Sequence, residues 1–282
     1  MLAVSLALAS ALAYGLSDFV GGILSKDRSV WSVAIASGVA IAFGTAVVAL
    51  LAPGDPSADD FAYGAAAGLG GALGIVFLYR GLSRGRMGVV APISGTGAAL
   101  VPVVVGIAGG ESPSALVWLG IVLAFPAIYL IPQVDAGQET AAGGAPRPSA
   151  AGDGVVAGLG FGVEFAMIGQ IGNDAGFLPL TLMQVTIVFA IGIAAIALHQ
   201  QLLPRGPGKL PVYAFGLLGL AATVCFQLAT REGLLTVVAV IASLYPAATV
   251  AMAAILLNER LGRLQIAGLG FAAVAVVLIS IG

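Results

Sequence analysis

The chain has 282 residues, of which 60% are hydrophobic and only 9% charged, with a mean hydropathy of +1.09, and this excludes a water-soluble globular domain. The net charge of −2 says nothing about partners, but nucleic acid has no basic patch to bind. The single cysteine, Cys225, excludes an intramolecular disulfide and a cysteine-based metal cluster.

Ten apolar runs are each long enough to cross the hydrocarbon core as a helix, which takes about 20 residues. They are continuous rather than alternating, so helices are expected and a barrel is not. The first covers 2–24 and holds Tyr14-Gly15-Leu16-Ser17-Asp18. It lacks a basic leading region and runs directly into a second span, so it is predicted as a retained helix, not a signal peptide. The second, 29–52, carries Ser37, and the third, 61–83, carries Tyr79 and the spaced pairs Gly64/Gly68 and Gly70/Gly74. The fourth, 87–109, contains Pro92, predicted to interrupt its helix and free backbone carbonyls to line a cavity. After the fifth, 113–133, the polar stretch 134–152 reads as a flexible linker. The sixth, 154–173, has Phe161 and Glu164 as well as Gly158/Gly162. The seventh, 177–199, has Gln184 and ends at the only histidine, His199, an interfacial position. The eighth, 210–230, has Gln227, placed opposite Tyr79, and holds Cys225 as a small apolar residue. The ninth, 234–257, has Tyr245-Pro246, a second expected interruption, and the tenth covers 262–281.

Residues 89–120 return 148 positions later without a gap. Val89-Val90-Ala91 recurs as Val237-Val238-Ala239, Ile107 as Ile255, Glu111 as Glu259 and Gly120 as Gly268. The two glutamates, each directly after a long apolar run, are the improbable coincidence, and both are expected to anchor a span end or cap a helix. The predicted architecture is therefore an all-α membrane protein of ten transmembrane helices in two five-helix repeats, 1–133 and 153–282. Five is odd, so the second repeat enters the membrane inverted, which is a transporter design. An even number of spans puts both termini on one side. Basic residues concentrate in the odd-numbered gaps, as Arg80, Arg84 and Arg86 do, which points both termini outward.

Ionisable side chains inside spans are costly and mark function. Asp18 and Glu164 stand in the first spans of the two halves, in similar aromatic-glycine surroundings, with no Lys or Arg within a helical turn. They are the candidate carboxyls for exchanging a proton against a cationic or polar substrate. Tyr14, Phe161, Tyr79, Gln184, Gln227, Tyr245, Pro92 and Pro246 are the candidate cavity residues. Few aromatics beside much Ala and Gly predict a cavity that is not an aromatic cage for a large cation. No P-loop, HExxH or GxSxG is present, so neither an ATP-driven pump nor a hydrolase is expected, and no metal or cofactor.

Ten spans in two halves, Tyr14-Gly15 in span 1, the approach Arg231-Glu232-Gly233-Leu234-Leu235-Thr236-Val237-Val238-Ala239 and Asn258-Glu259-Arg260-Leu261 after span 9 resemble the EamA-type transporters of the drug/metabolite transporter superfamily. The resemblance implies termini in the cytoplasm, contrary to the charge bias. Asp18-Phe-Val-Gly21-Gly-Ile-Leu24-Ser-Lys26 is also similar to the first helix of the small multidrug resistance exporters. That likeness implies that Asp18 is the proton/cation carboxylate, with Lys26 near the membrane surface. Glu164 would be the counterpart of Asp18, although Gly172 stands where a second lysine would. The expected function is secondary active export of a small organic molecule, coupled to protons, by a monomer or homodimer in the cell membrane. The alternatives are an uncoupled facilitator with structural acids or, further off, a membrane-embedded enzyme acting on a lipid.

Overall fold

In the computed structural model the described residues are 1–25, 28–84, 87–133, 148–203, 213–256 and 261–282. Lys26, Arg86, Asn258, Glu259 and Arg260 lie outside them, as do the side chains of Tyr79, Arg84 and Pro92.

Among the described residues the chain is entirely helical. The helices are α1 (Leu2–Leu24), α2 (Val30–Leu51), α3 (Ala58–Arg84), α4 (Met87–Ala108), α5 (Ala115–Leu130) and α6 (Pro148–Ile168). They continue as α7 (Leu178–Ala197), α8 (Gly216–Glu232), α9 (Leu235–Ala242), α10 (Tyr245–Leu256) and α11 (Arg263–Ile281). Because α9 and α10 run end to end, these make ten helical segments. Six stretches, including the combined Leu235–Leu256, are long and apolar enough to span a membrane, and Ile93–Ala108 and Ala115–Leu130 are shorter apolar helices.

The two prolines behave differently. Span 9 breaks at Ser243-Leu244, where Leu244 N–H bonds the Ile241 carbonyl and Ala247 N–H bonds the Leu244 carbonyl, a tightened turn. Pro246 then occupies the second residue of α10, where its missing N–H costs little. The predicted interruption at Pro92 does not occur, because α4 runs through it unbroken. Pro92 is only the sixth residue of that helix, so it removes one hydrogen bond near an end rather than severing a ladder. A second departure from expectation is α6, which begins at Pro148, inside the stretch predicted as linker. Its Asp153 is buried and ion-paired with Arg80 of α3 at 2.5 Å.

The most extensive contacts join residues far apart in sequence. Helix α6 lies against α3 and α4, α1 lies against α8, α9 and α10, α2 against α7, and α5 against α11. Glycines allow the close approaches. A methyl group on Gly160 would stand 2.6 Å from the Gly74 amide and 2.7 Å from the Gly70 carbonyl, so α3 and α6 touch backbone to backbone. All eight residues of α9 are buried, and all but Thr236 belong to the broad hydrophobic core.

Candidate functional site

Helix α1 shows where its polar residues point. Leu2, Ser5, Ala9 and Leu12, three or four apart, are exposed and form the outward stripe. Ala7, Ala11, Tyr14 and Asp18 form the opposite stripe, and Ala7 and Ala11 on it are buried. Asp18 nevertheless remains exposed on that inward stripe. Its place on that stripe puts the carboxyl group on the same side of α1 as Tyr14. On α6 the outward stripe is Gly152, Val155, Leu159 and Val163, and Glu164, half-buried, follows Asp153, Ala157 and Gly160 along the inward side. Among the described residues neither Asp18 nor Glu164 has a hydrogen-bond or ion-pair partner; the ion pair found is Arg80–Asp153.

Two tyrosines lie near both acids. Tyr14 and Tyr245 are each within electrostatic reach of both Asp18 and Glu164. Their ring centroids are 6.4 Å apart. The Tyr14 ring also lies 6.0 Å from Phe165, which stacks on Phe226 at 4.7 Å. The Tyr14 hydroxyl shares a 3.2 Å hydrogen bond with the Thr223 hydroxyl of α8. The Glu164 carboxyl lies over bare backbone, since a methyl group on Gly71 would stand 2.9 Å from its oxygen. Gly15 lets α10 approach, as its carbonyl accepts a 3.0 Å bond from the Thr249 hydroxyl and a methyl there would meet Ala248 and the Tyr245 carbonyl.

The sequence-predicted residues separate accordingly. Asp18, Glu164, Tyr14 and Tyr245 come together. Phe161 packs on Gly74 beside them. Gln227 is fully buried one turn beyond Thr223, with neither amide atom hydrogen-bonded. Gln184 is buried on α7, and Pro246 shapes the break that presents Tyr245. Phe165, Phe226 and Thr223 were not singled out from sequence, although two of them directly adjoin Glu164 and Gln227. They change one expectation: despite the low aromatic content, four rings gather at the centre. Glu111, expected to anchor or cap, accepts hydrogen bonds from the first amides of α9. His199 is exposed at the end of α7 with φ +52°.

The profile of the EamA-like transporter family matches residues 1–132 and again 153–281. The chain belongs to that family. This makes the protein a multi-pass membrane transporter of the drug/metabolite superfamily. A solved crystal structure superposes on the transporter with a TM-score of 0.74 at 12% identity, over 99% of this chain and 96% of the other. At that identity the likeness is one of fold. No curated protein matches the transporter in sequence.

Proposed function

We propose that the protein is a secondary carrier working by alternating access of two inverted five-helix halves, exchanging protons for a small organic cargo at Asp18 and Glu164. The observation that carries this reading is the placement of the acids. One comes from the first helix of each half, both stand on their helices' inward stripes, neither has a partner among the described residues, and two tyrosines lie near both. A carboxyl group without a fixed cation can hold a proton in one stage of a cycle and a positively charged or polar cargo in another. The surrounding rings favour cargo with an apolar body and a positive charge.

The packing supports the inverted repeat. Exchanging the halves, α1 with α6, α2 with α7, α3 with α8, α4 with α9–α10 and α5 with α11, turns the α3–α6 contact into α8–α1. It likewise turns α3–α7 into α8–α2 and α4–α6 into α9–α10 against α1, and each of these contacts is present. The contacts α2–α7, α5–α11 and α4–α9 map onto themselves, as a two-fold axis requires. Membership of the family supports transport of a small molecule across a membrane.

The test is internal pH in proteoliposomes while amino acids, organic cations and their neutral isosteres are added outside. Wild type should move protons when an accepted cargo is added, and Asp18→Asn and Glu164→Gln should each abolish that movement. Equal flux of labelled cargo through wild type and both variants, with no proton movement, would establish an uncoupled facilitator instead.

A further inference from the structure

The end of the molecule that carries the N-terminus also carries the start of α9, and what caps that helix comes from the other half of the chain. The residue before α9, Leu234, offers no side-chain cap. In its place the Glu111 carboxylate accepts from the Leu235 amide at 2.6 Å with one oxygen and from the Thr236 amide at 2.9 Å with the other. Both amides belong to the first turn, whose N–H groups have no partner inside the helix, and the positive end of the helix dipole favours an anion there. Charge-assisted bonds of this kind are the strong ones.

The chain goes to some length to place this carboxylate. After α4 the turn Gly109-Gly110 reverses direction, with Gly110 at φ +93°, which glycine adopts without strain. Glu111 N–H then returns to the Gly106 carbonyl at 3.0 Å. The carboxyl group folds over Gly106, and a methyl group there would collide with it and stand 2.8 Å from the Thr236 methyl. A carboxylate from the first half is thus seated on a helix of the second.

Helix α9 links that seat to the site. It is eight residues long, about 12 Å, wholly buried, and ends at the Ser243-Leu244 break immediately before Tyr245. Tyr245 is the ring that faces Tyr14. The same end is tied twice more between the halves: Asp60 accepts from the Gly172 amide at 2.7 Å, and Asp55 N–H bonds the Asp174 carbonyl at 2.8 Å. This end is closed.

We infer that Glu111 is a positioning residue for transport: its two bonds to the start of α9 clamp this end of the central site shut, and opening the end requires their release. The inference rests on the alternating-access reading above, but its test reads conformation and needs no cargo. Cys225→Ala with Ser243→Cys gives a single reporter, since Ser243 is fully buried at the break. An impermeant maleimide is then applied to each side of oriented, sealed proteoliposomes.

Two variants weaken the clamp from opposite partners. Glu111→Gln keeps the shape but loses the charge and one acceptor. Leu235→Pro deletes the shorter bond at the first helical position, where proline fits, after Leu234 whose φ −63° and ψ 133° suit a following proline. Each should raise labelling from the N-terminal side by about tenfold, the scale of one charge-assisted bond, and lower it from the other side. The Glu111–Leu235 bond is common to both, so the double variant should fall short of the sum of the singles. Unchanged sidedness, or a general rise from both sides, overturns the inference. So does additive behaviour, and so does failure of both variants to fold, because a bond released in every cycle cannot be required for the fold. If sidedness shifts as expected while no cargo moves protons in wild type, the clamp stands and the coupling reading fails.

Discussion

At the scale of single residues, the site is defined as much by absent side chains as by present ones. Glu164 has room because Gly71 of α3 offers only backbone, and Ile187 of α7 lies against the same glycine. Gly71→Ala is the smallest change that touches the carboxyl group without altering its chemistry. The added methyl would stand 2.9 Å from the Glu164 oxygen and 3.0 Å from Ile187, so the flexible Glu164 side chain has to turn away. The expected result is a folded protein, destabilised by no more than about 1–3 kcal/mol, whose cargo-driven proton movement falls about tenfold or more if the carboxyl position matters. The check is flux and thermal unfolding measured on the same preparation; flux at wild-type level would mean that Glu164 works from elsewhere. Tyr14 shows the complementary case. Its bond to Thr223 fixes the ring between Phe165 and Tyr245, so a residue legible from sequence is oriented by one that was not.

At the scale of helices, backbone contact between α3 and α6 makes a sharp expectation. Gly160→Ala should lower stability by about 1–3 kcal/mol through overpacking, as its methyl would meet Gly74 and Gly70 backbone that cannot rotate away. Gly270→Ala in α11 meets nothing within 4 Å and should be neutral or gain up to about 1 kcal/mol from helix propensity. Paired thermal unfolding curves in detergent distinguish the two. The helices were legible in the sequence because each apolar run is its own signal: length and hydropathy alone place α1, α2, α7 and α11 within about two residues. The break before Tyr245 was legible because Pro246 falls mid-run, yet the same reasoning misplaced a break at Pro92, where position within the helix decides the outcome. Alternation gave no warning of which glycines meet which backbone. The start of α6 was hidden because Pro148-Ser149-Ala150-Ala151-Gly152 has linker composition while its neighbour Asp153 is held by Arg80 from another helix. The site was half legible. An acid inside an apolar run singled out Asp18 and Glu164, whereas Phe165, Phe226 and Thr223 look like ordinary core residues until the packing joins them.

At the scale of the whole molecule, two halves in sequence are not two bodies in space. Each half's first helix lies against the other half: α6 on α3 and α4, α1 on α8, α9 and α10. The remaining contacts α2–α7 and α5–α11 also cross, and Glu111, Asp55 and Asp60 bond across as well. An isolated half would leave those faces uncovered, including the glycine stripes of α3 and α6 whose backbones need a close partner. The sequence between the halves, by contrast, need only connect them. Residues 1–133 and 148–282 produced as separate chains in one membrane are therefore expected to co-purify as a stoichiometric pair and to retain proton-coupled flux. Either chain alone should aggregate or be degraded. Size-exclusion chromatography of a singly tagged half, with and without the other, checks this directly. A monodisperse single half would mean that contacts within each repeat are sufficient for folding, and that the crossing contacts are a later docking step rather than the core of the molecule.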